Sequence, residues 1–483
     1  MELFQEDAKI YNRNCSSDST YLNRIADLDK TLKEKYSSIM RVDTSLSRQI
    51  VSFQANKKIP FYRWFKYKEG FSAELVINYI NKHGIKKTKN ILDPFAGSGA
   101  TLFAASHLGI NSVGIELLPI GQELIKSRNI LLNEFSEKDF ERLVYWINEK
   151  PWLNYEGQKD FNVLKITNGA YSEETIILIK KYLSCMEQEE QKIQEILLLA
   201  LFCILENISF TRKDGQYLRW DQRSGRCLGA RPFDKGVIKQ FNIAIIEKLE
   251  EIISDAKGNA LCDFFNSEQS SITRGAVQII GGSCLDELPK IKNNSFDMVI
   301  TSPPYCNRYD YTRTYALELA MLGADEKALV NLRQTMLSCT VENREKDLLL
   351  LNSKWDIPLR IAQGHELLQE ILNYLEHKKK EKTLNNNGLP RMIKGYFYEM
   401  SCVIYELFRV LRKEGQVIMV NDNVRYAGAS ISVDLILSSI AENIGFTVEE
   451  ISILPIGKGN SSQQMGEYGR EPLRKCVYIW RKK

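Results

Sequence analysis

The chain has 483 residues, 44% hydrophobic and 26% charged, an ordinary apolar fraction that excludes wholesale disorder. At about 150 residues per domain, that length holds roughly three domain-sized units. Lys+Arg 65 against Asp+Glu 61 leaves only +4, so no global excess of positive charge argues for a polyanionic partner, and such a partner would need locally patterned charge.

Residues 1–50 are polar, and the spacing Tyr21-Leu22-x-x-Ile25-x-x-Leu28 marks an N-terminal helical extension. The acidic first seven residues lack a signal-peptide charge pattern. After an aromatic-rich stretch at 59–80, the apolar strand Asn90-Ile91-Leu92-Asp93 runs into the turn Pro94-Phe95-Ala96-Gly97-Ser98-Gly99. Residues 100–108 favour helix and Gly109 ends it. Asn111-Ser112-Val113-Gly114-Ile115-Glu116 is then a second strand ending in an acid, which completes a βαβ unit.

Residues 121–276 are largely helical in pattern, with helices at 172–182 and 191–205 and a polar, basic end. The apolar run 196–205 falls short of the ~20 residues of a membrane span and reads as a buried helix. Strands return at 277–280 and 296–300. A charged helical block fills 325–390 and closes with the Lys378–Lys382 run, read as a solvated helix end, and a loop at 385–388. A helix at 398–411, a Lys413-Glu414-Gly415 turn, a strand at 416–420, a helix at 431–443 and strands at 448–454 and 476–480 follow. The predicted fold is one α/β sheet interrupted by two helical insertions. Its parts are the extension 1–50, sheet-forming parts at 51–120, 277–324 and 395–483, and insertions at 121–276 and 325–394. Ten scattered cysteines with no CxxC pair suggest reduced thiols in a cytoplasm, and four distant histidines give no metal-ligand cluster.

The glycines of the turn permit close backbone approach to a ligand, and the following helix offers its amide end. Glu116, at a second strand end, suits a ribose diol. No lysine follows the glycines, so this is not a Walker loop, and the spacing is not Gly-x-Gly-x-x-Gly. Alone, the segment is equally a plain tight turn. In Thr301-Ser302-Pro303-Pro304-Tyr305 the prolines must stop the preceding strand. The rigid turn then aims the Ser302 hydroxyl, the Pro303 carbonyl and the Tyr305 ring into the crevice at the strand ends. Two acceptors and an aromatic face suit a flat base with an exocyclic amine. Alone, this too is an ordinary loop after a strand.

Together the two segments resemble the amino-group DNA methyltransferases of the N4-cytosine and N6-adenine superfamily. Asp93-Pro94-Phe95-Ala96-Gly97-Ser98-Gly99 is similar to their S-adenosylmethionine motif, and Thr301-Ser302-Pro303-Pro304-Tyr305 to their catalytic motif. The segment 61–72, ending Gly70-Phe71-Ser72, resembles the one that covers the methionine end of the cofactor. Gly281-Gly282-Ser283 and Asn294-Ser295-Phe296-Asp297 fit the run-up to the catalytic motif, and residues 406–415 fit the helix and turn before strand five. The likeness covers residues 56–120, 277–320 and 395–483. Many relatives carry an acid where Gly282 or Ser283 stands here, so Asp286 or backbone amides would serve the adenine ring.

The resemblance implies a class I methyltransferase fold, Rossmann-like with a seven-stranded mixed sheet and an α-like motif order. It implies S-adenosylmethionine held by Phe71, Ser72, Asp93, Pro94, Phe95, Ala96, Gly97, Ser98, Gly99, Thr101, Glu116 and Ser283. Catalysis falls to Ser302, Pro303, Pro304 and Tyr305, with the target base flipped onto Tyr305 and its amine attacking the methyl directly. Serine at the first motif position is typical of N4-cytosine enzymes. An N6-adenine enzyme, an RNA base methyltransferase and an inactive nucleic-acid-binding protein are the alternatives. Cys306 sits one residue too late for a C5-cytosine nucleophile and reads as packing. The partners implied are double-stranded DNA and a cognate restriction or defence protein, with no membrane and no metal.

Residues 211–239 carry eight basic residues against three aspartates, a local +5 with Tyr217, Trp220 and Phe233 interleaved. Arg212, Lys213, Arg219, Arg223, Arg226 and Arg231 there, with Arg308 and Arg313 after the catalytic motif, are the candidate DNA contacts. The plain alternative is a solvated surface.

Overall fold

The computed structural model describes residues 2–68, 70–84, 88–214, 217–226, 232–257, 273–455 and 473–483, with side chains from Asp18 onward. Twelve strands are described: β1 (Met40–Val42), β2 (Asn90–Asp93), β3 (Asn111–Glu116), β4 (Thr211–Asp214), β5 (Tyr217–Trp220), β6 (Val277–Gly281), β7 (Phe296–Thr301), β8 (Leu411–Asp422), β9 (Val424–Tyr426), β10 (Ala429–Ile431), β11 (Phe446–Ile453) and β12 (Lys475–Lys482). Eight of them form one sheet in the order β1-β11-β12-β8-β7-β2-β3-β6, while β4 with β5 and β9 with β10 are separate hairpins. Only β12 runs antiparallel to its neighbours; every other pairing in the large sheet is parallel. This is the class I methyltransferase architecture, with the strand order reversing between β2 and β7.

The sheet is buried on both faces, as parallel sheets must be. Along β8, Val417, Ile418, Met419 and Val420 are all fully buried. Successive side chains point to opposite faces, so Ile418 and Val420 join one core while Val417 and Met419 join the other. The continuous apolar run that marks this strand in the sequence follows from that double burial.

The structure departs from the sequence reading in four places. The sheet has eight strands, not seven, because β1 from the polar extension pairs in parallel with β11 at the edge. The predicted turn at Lys413-Glu414-Gly415 lies inside β8 as a bulge: Phe296 pairs with Leu411 but Met298 with Gln416, and Glu414 takes φ 63°. The helix expected from residue 398 begins at Leu389, because Pro390 occupies its first turn, where a missing N–H is harmless. Lys378 is not solvated: it is 6% exposed and holds Asp18 at 2.7 Å, tying the helix Glu2–Tyr36 to the helix Glu366–Lys380.

The run 196–205 lies in the buried helix Gln191–Ile208. Among the described residues, no helix is long and apolar enough to cross a membrane. The seven cysteines with described side chains are all free thiols.

Candidate functional site

Parallel strands in one sheet bring their carboxyl ends to one edge, and ligands bind in the crevice where the order reverses. Here that crevice is a cleft of about 810 Å³, its open mouth included, between the turn after β2, the end of β3, the segment after β6 and the segment after β7. Pro94, Phe95, Ala96, Gly97, Ser98, Glu116, Phe71, Ser283, Ser302 and Pro304 all line it. Both sequence motifs therefore share one cavity. Thr301 Oγ1 joins them by donating to Asp93 Oδ1 at 2.6 Å.

Gly97 stands at φ 56°, and a Cβ there would meet the Tyr67 ring at 3.0 Å. Its N–H donates to Glu116 Oε2 at 2.6 Å, and the Leu118 N–H donates to Oε1 at 2.7 Å. Burial raises the Glu116 carboxyl to about 7 against the relief of these two amides. Asp93, buried beneath the turn, is raised by burial to about 6. Each Glu116 oxygen keeps lone-pair capacity beyond its amide partner. A buried carboxylate facing a cleft beside a positive-φ glycine turn fits the ribose of an adenosyl cofactor.

Some predicted cofactor residues shape the cleft without lining it. Ser72 is fully buried; its hydroxyl donates to the Ile50 carbonyl at 2.7 Å and caps the helix Ala73–His83 through the Leu75 N–H. It is a helix cap, and only its neighbour Phe71 reaches the cleft. Thr101 is likewise buried, bracing the Ile300 carbonyl at 3.2 Å. Gly99, at φ 82°, starts the helix Ala100–His107. Asp286 is exposed and does not line the cleft.

Other residues of the site carried no sequence signal. Arg128 is 1% exposed; it donates to the Ser98 carbonyl at 2.5 Å and lies over the Phe61 and Trp64 rings. It pins the glycine turn from behind. Met336 and Leu337 reach the cleft from the second insertion, where Ser283 Oγ meets the Thr335 carbonyl at 3.4 Å. A lone arginine on an amphipathic helix and two apolar residues in an insertion resemble any others until the chain is folded.

At the catalytic motif, Ser302 Oγ donates to the Tyr305 hydroxyl at 3.1 Å. Tyr305 is 3% exposed and set behind the cleft wall, with Lys475 Nζ 5.0 Å from its ring centroid. Pro303 is buried. Cys306 is fully buried, burial pushes its thiol far above the ordinary range, and the Tyr426 hydroxyl donates to its carbonyl at 2.8 Å. That environment suits packing, not a nucleophile.

The basic stretch divides. In the hairpin β4–β5, alternate residues face outward: Arg212 and Arg219 are exposed and stand directly opposite each other. Arg219 reaches Asp214 at 3.2 Å and lies 4.0 Å from the Phe233 ring centroid. Lys213 faces inward, 4% exposed, paired with the fully buried Glu318 and lying over the Phe65 and Tyr315 rings. The pleat that exposes Arg212 buries its neighbour, so Lys213 is a core ion pair rather than a phosphate ligand.

Arg223 grips Asp221 through both oxygens and holds that carboxyl well below the usual range. Arg226 stacks 4.2 Å from the Trp220 ring centroid. Lys235, lowered to about 8 by burial, is committed to the Ser209 and Glu206 carbonyls. Arg231 lies outside the described residues. Arg308 adopts φ 67° and lies over Tyr426; Arg313 is exposed and pairs with Asp310 and Glu342.

A sequence profile of a DNA methylase family matches residues 30–127. The Type II methyltransferase M.AvaI of Nostoc sp. is 54% identical over 96% of this chain and 95% of its own. Type II methyltransferase M.BsoBI of Geobacillus stearothermophilus is 42% identical over 98% and 95%. Type II methyltransferase M.MvaI of Kocuria varians is 21% identical over 73% and 74%.

Proposed function

The chain belongs to the Type II DNA methyltransferases of the N6/N4 family, and we propose that within it the enzyme methylates the exocyclic N4 amine of cytosine in duplex DNA. It uses S-adenosylmethionine, which when bound supplies an electrophilic methyl group. The observation that carries the cytosine reading is Ser302, which lines the cofactor cleft with its hydrogen directed to Tyr305.

An exocyclic amine is a poor nucleophile because its lone pair is delocalised into the ring. Ser302 Oγ and the Pro303 carbonyl accept its hydrogens and favour a more tetrahedral nitrogen. The prolines fix that pair rigidly, so positioning supplies much of the rate. The base flips out because the reacting atom is buried in the duplex, and Tyr305, set behind the cleft wall, braces Ser302 through its hydroxyl. Glu116 holds the ribose and Gly97 admits the cofactor close to the backbone. Arg212 and Arg219 on the outer face of the β4–β5 hairpin, with Arg226, carry the duplex. Two arginines directly opposite on a hairpin repel each other, and a phosphate between them relieves that cost. A cognate restriction nuclease sharing the DNA site is the expected biological partner, and the free thiols suit a cytoplasmic setting.

Labelled methyl transfer to duplex DNA, single-stranded DNA and RNA tests the reading. Duplex DNA is expected to take the label, and the Ser302→Ala/Tyr305→Ala double variant is expected to lose transfer while keeping cofactor affinity by calorimetry. Loss of cofactor affinity in that variant, or label confined to RNA, overturns it.

A further inference from the structure

We propose that Lys475, held by Asp422, is a positioning residue for methyl transfer: it holds the Tyr305 oxygen where that oxygen accepts the Ser302 hydrogen, which leaves the Ser302 lone pairs to the target amine. Lys475 opens β12 and pairs in register with Asp422, which closes β8. Its Nζ lies 3.1 Å from Asp422 Oδ1 and 3.4 Å from the Tyr305 hydroxyl. The strand end is held firmly. The neighbouring Arg474 grips both oxygens of Asp434 at 3.1 Å and the Ser432 hydroxyl at 3.1 Å, and its carbonyl accepts from the Asn423 N–H at 3.2 Å.

Hydrogen-bond direction decides the matter. A hydroxyl donates one hydrogen and accepts two, whereas an ammonium only donates. An ammonium aimed at the Tyr305 oxygen therefore takes one of its lone pairs and holds its position, and the other lone pair is left for Ser302. Ser302 Oγ, 3.1 Å from the same oxygen, donates to it. With its hydrogen so committed, Ser302 offers only lone pairs to the base. Were Tyr305 to donate to Ser302 instead, Ser302 would turn its own hydrogen toward the amine, and two donors would face each other. Asp422 balances the ammonium, so its charge does not oppose the positive charge that develops on the amine nitrogen.

This inference rests on Ser302 as the acceptor for the amine. Its test is single-turnover methyl transfer at saturating S-adenosylmethionine and duplex DNA, with the full chain. The variants are Lys475→Met, Lys475→Arg, Tyr305→Phe and the Tyr305→Phe/Lys475→Met pair, with cofactor affinity measured by calorimetry for each. Lys475→Met is expected to slow the single-turnover rate about 10- to 100-fold, the scale of one charge-assisted hydrogen bond. Cofactor affinity stays unchanged, and Lys475→Arg, which keeps a donor, restores most of the rate. In the Tyr305→Phe background, Lys475→Met costs nothing further, since the oxygen it orients is gone. An unchanged Lys475→Met rate, or full additivity of the two losses, overturns the proposal. A wild-type chain that methylates no DNA, or a Ser302→Ala variant at full rate, overturns the underlying reading instead.

Discussion

Glu116 shows how much of a proposed role is legible at one residue of the sequence. Its place at a second strand end, downstream of a glycine turn, was enough to predict a cofactor acid. Its hydrogen bonds to the Gly97 and Leu118 amides, and its carboxyl raised to about 7 by burial, belong to the folded cleft. A raised carboxyl favours the protonated form in the fold. Its contribution to the stability of the empty protein is therefore present below the ordinary carboxylate range and lost as pH rises through about 7. Ribose hydroxyls donate to the ionised form, so cofactor affinity should rise as pH climbs through about 7. Calorimetric titrations on either side of that value should show this for the wild type and a flat profile for Glu116→Gln. A wild-type affinity independent of pH would contradict the assignment. Ser72 and Thr101 mark the opposite limit: a motif says that a serine or threonine is needed, not whether its hydroxyl faces ligand or backbone.

At the scale of an element, the β4–β5 hairpin separates two uses of basic residues that composition merges. Period-two alternation exposes Arg212 and Arg219 and buries Lys213 against Glu318. A charge count over 211–239 could not make that division, because the stretch lacks the apolar alternation that announces a strand. Replacing Arg212 and Arg219 with glutamine should weaken duplex binding and lower the salt slope by about 0.9 for each phosphate left unneutralised, with thermal stability unchanged. Filter binding from low to moderate salt reads this, and an unchanged slope would return the hairpin to ordinary surface.

Lys213→Met should behave in the opposite way. It strands a buried Glu318 whose carboxyl burial already raises, and breaking such a pair costs about 3–5 kcal/mol. The melting temperature should fall, while the salt slope of whatever folded protein remains stays as in the wild type. A normal melting temperature would show that Glu318 finds another partner.

At the scale of the molecule, one sheet carries both motifs, and the insertions contribute to its site. The βαβ unit, the two strand ends and the closing strands were legible because parallel strands buried on both faces read as apolar runs, and prolines and glycines mark their ends. The edge strand β1 was not, because three residues, Met40-Arg41-Val42, carry no usable period. The inward reach of Met336 and Leu337 was equally hidden, since long-range packing leaves no local pattern. Because β1 covers β11 and Tyr36 donates to Glu442 at 2.6 Å, a chain starting at Ser45 should expose a strand edge and an apolar face. Size-exclusion chromatography should find it aggregated, and a monodisperse monomer with full cofactor affinity would contradict the role given to the extension.

In the proposed reaction this sheet delivers a methyl group to the N4 amine of cytosine in duplex DNA. Its most direct test is transfer of a labelled methyl group to duplex DNA, digestion to nucleosides and identification of the labelled nucleoside by mass. The label is expected in N4-methylcytosine alone. Label in N6-methyladenine, or an unlabelled duplex, would contradict it.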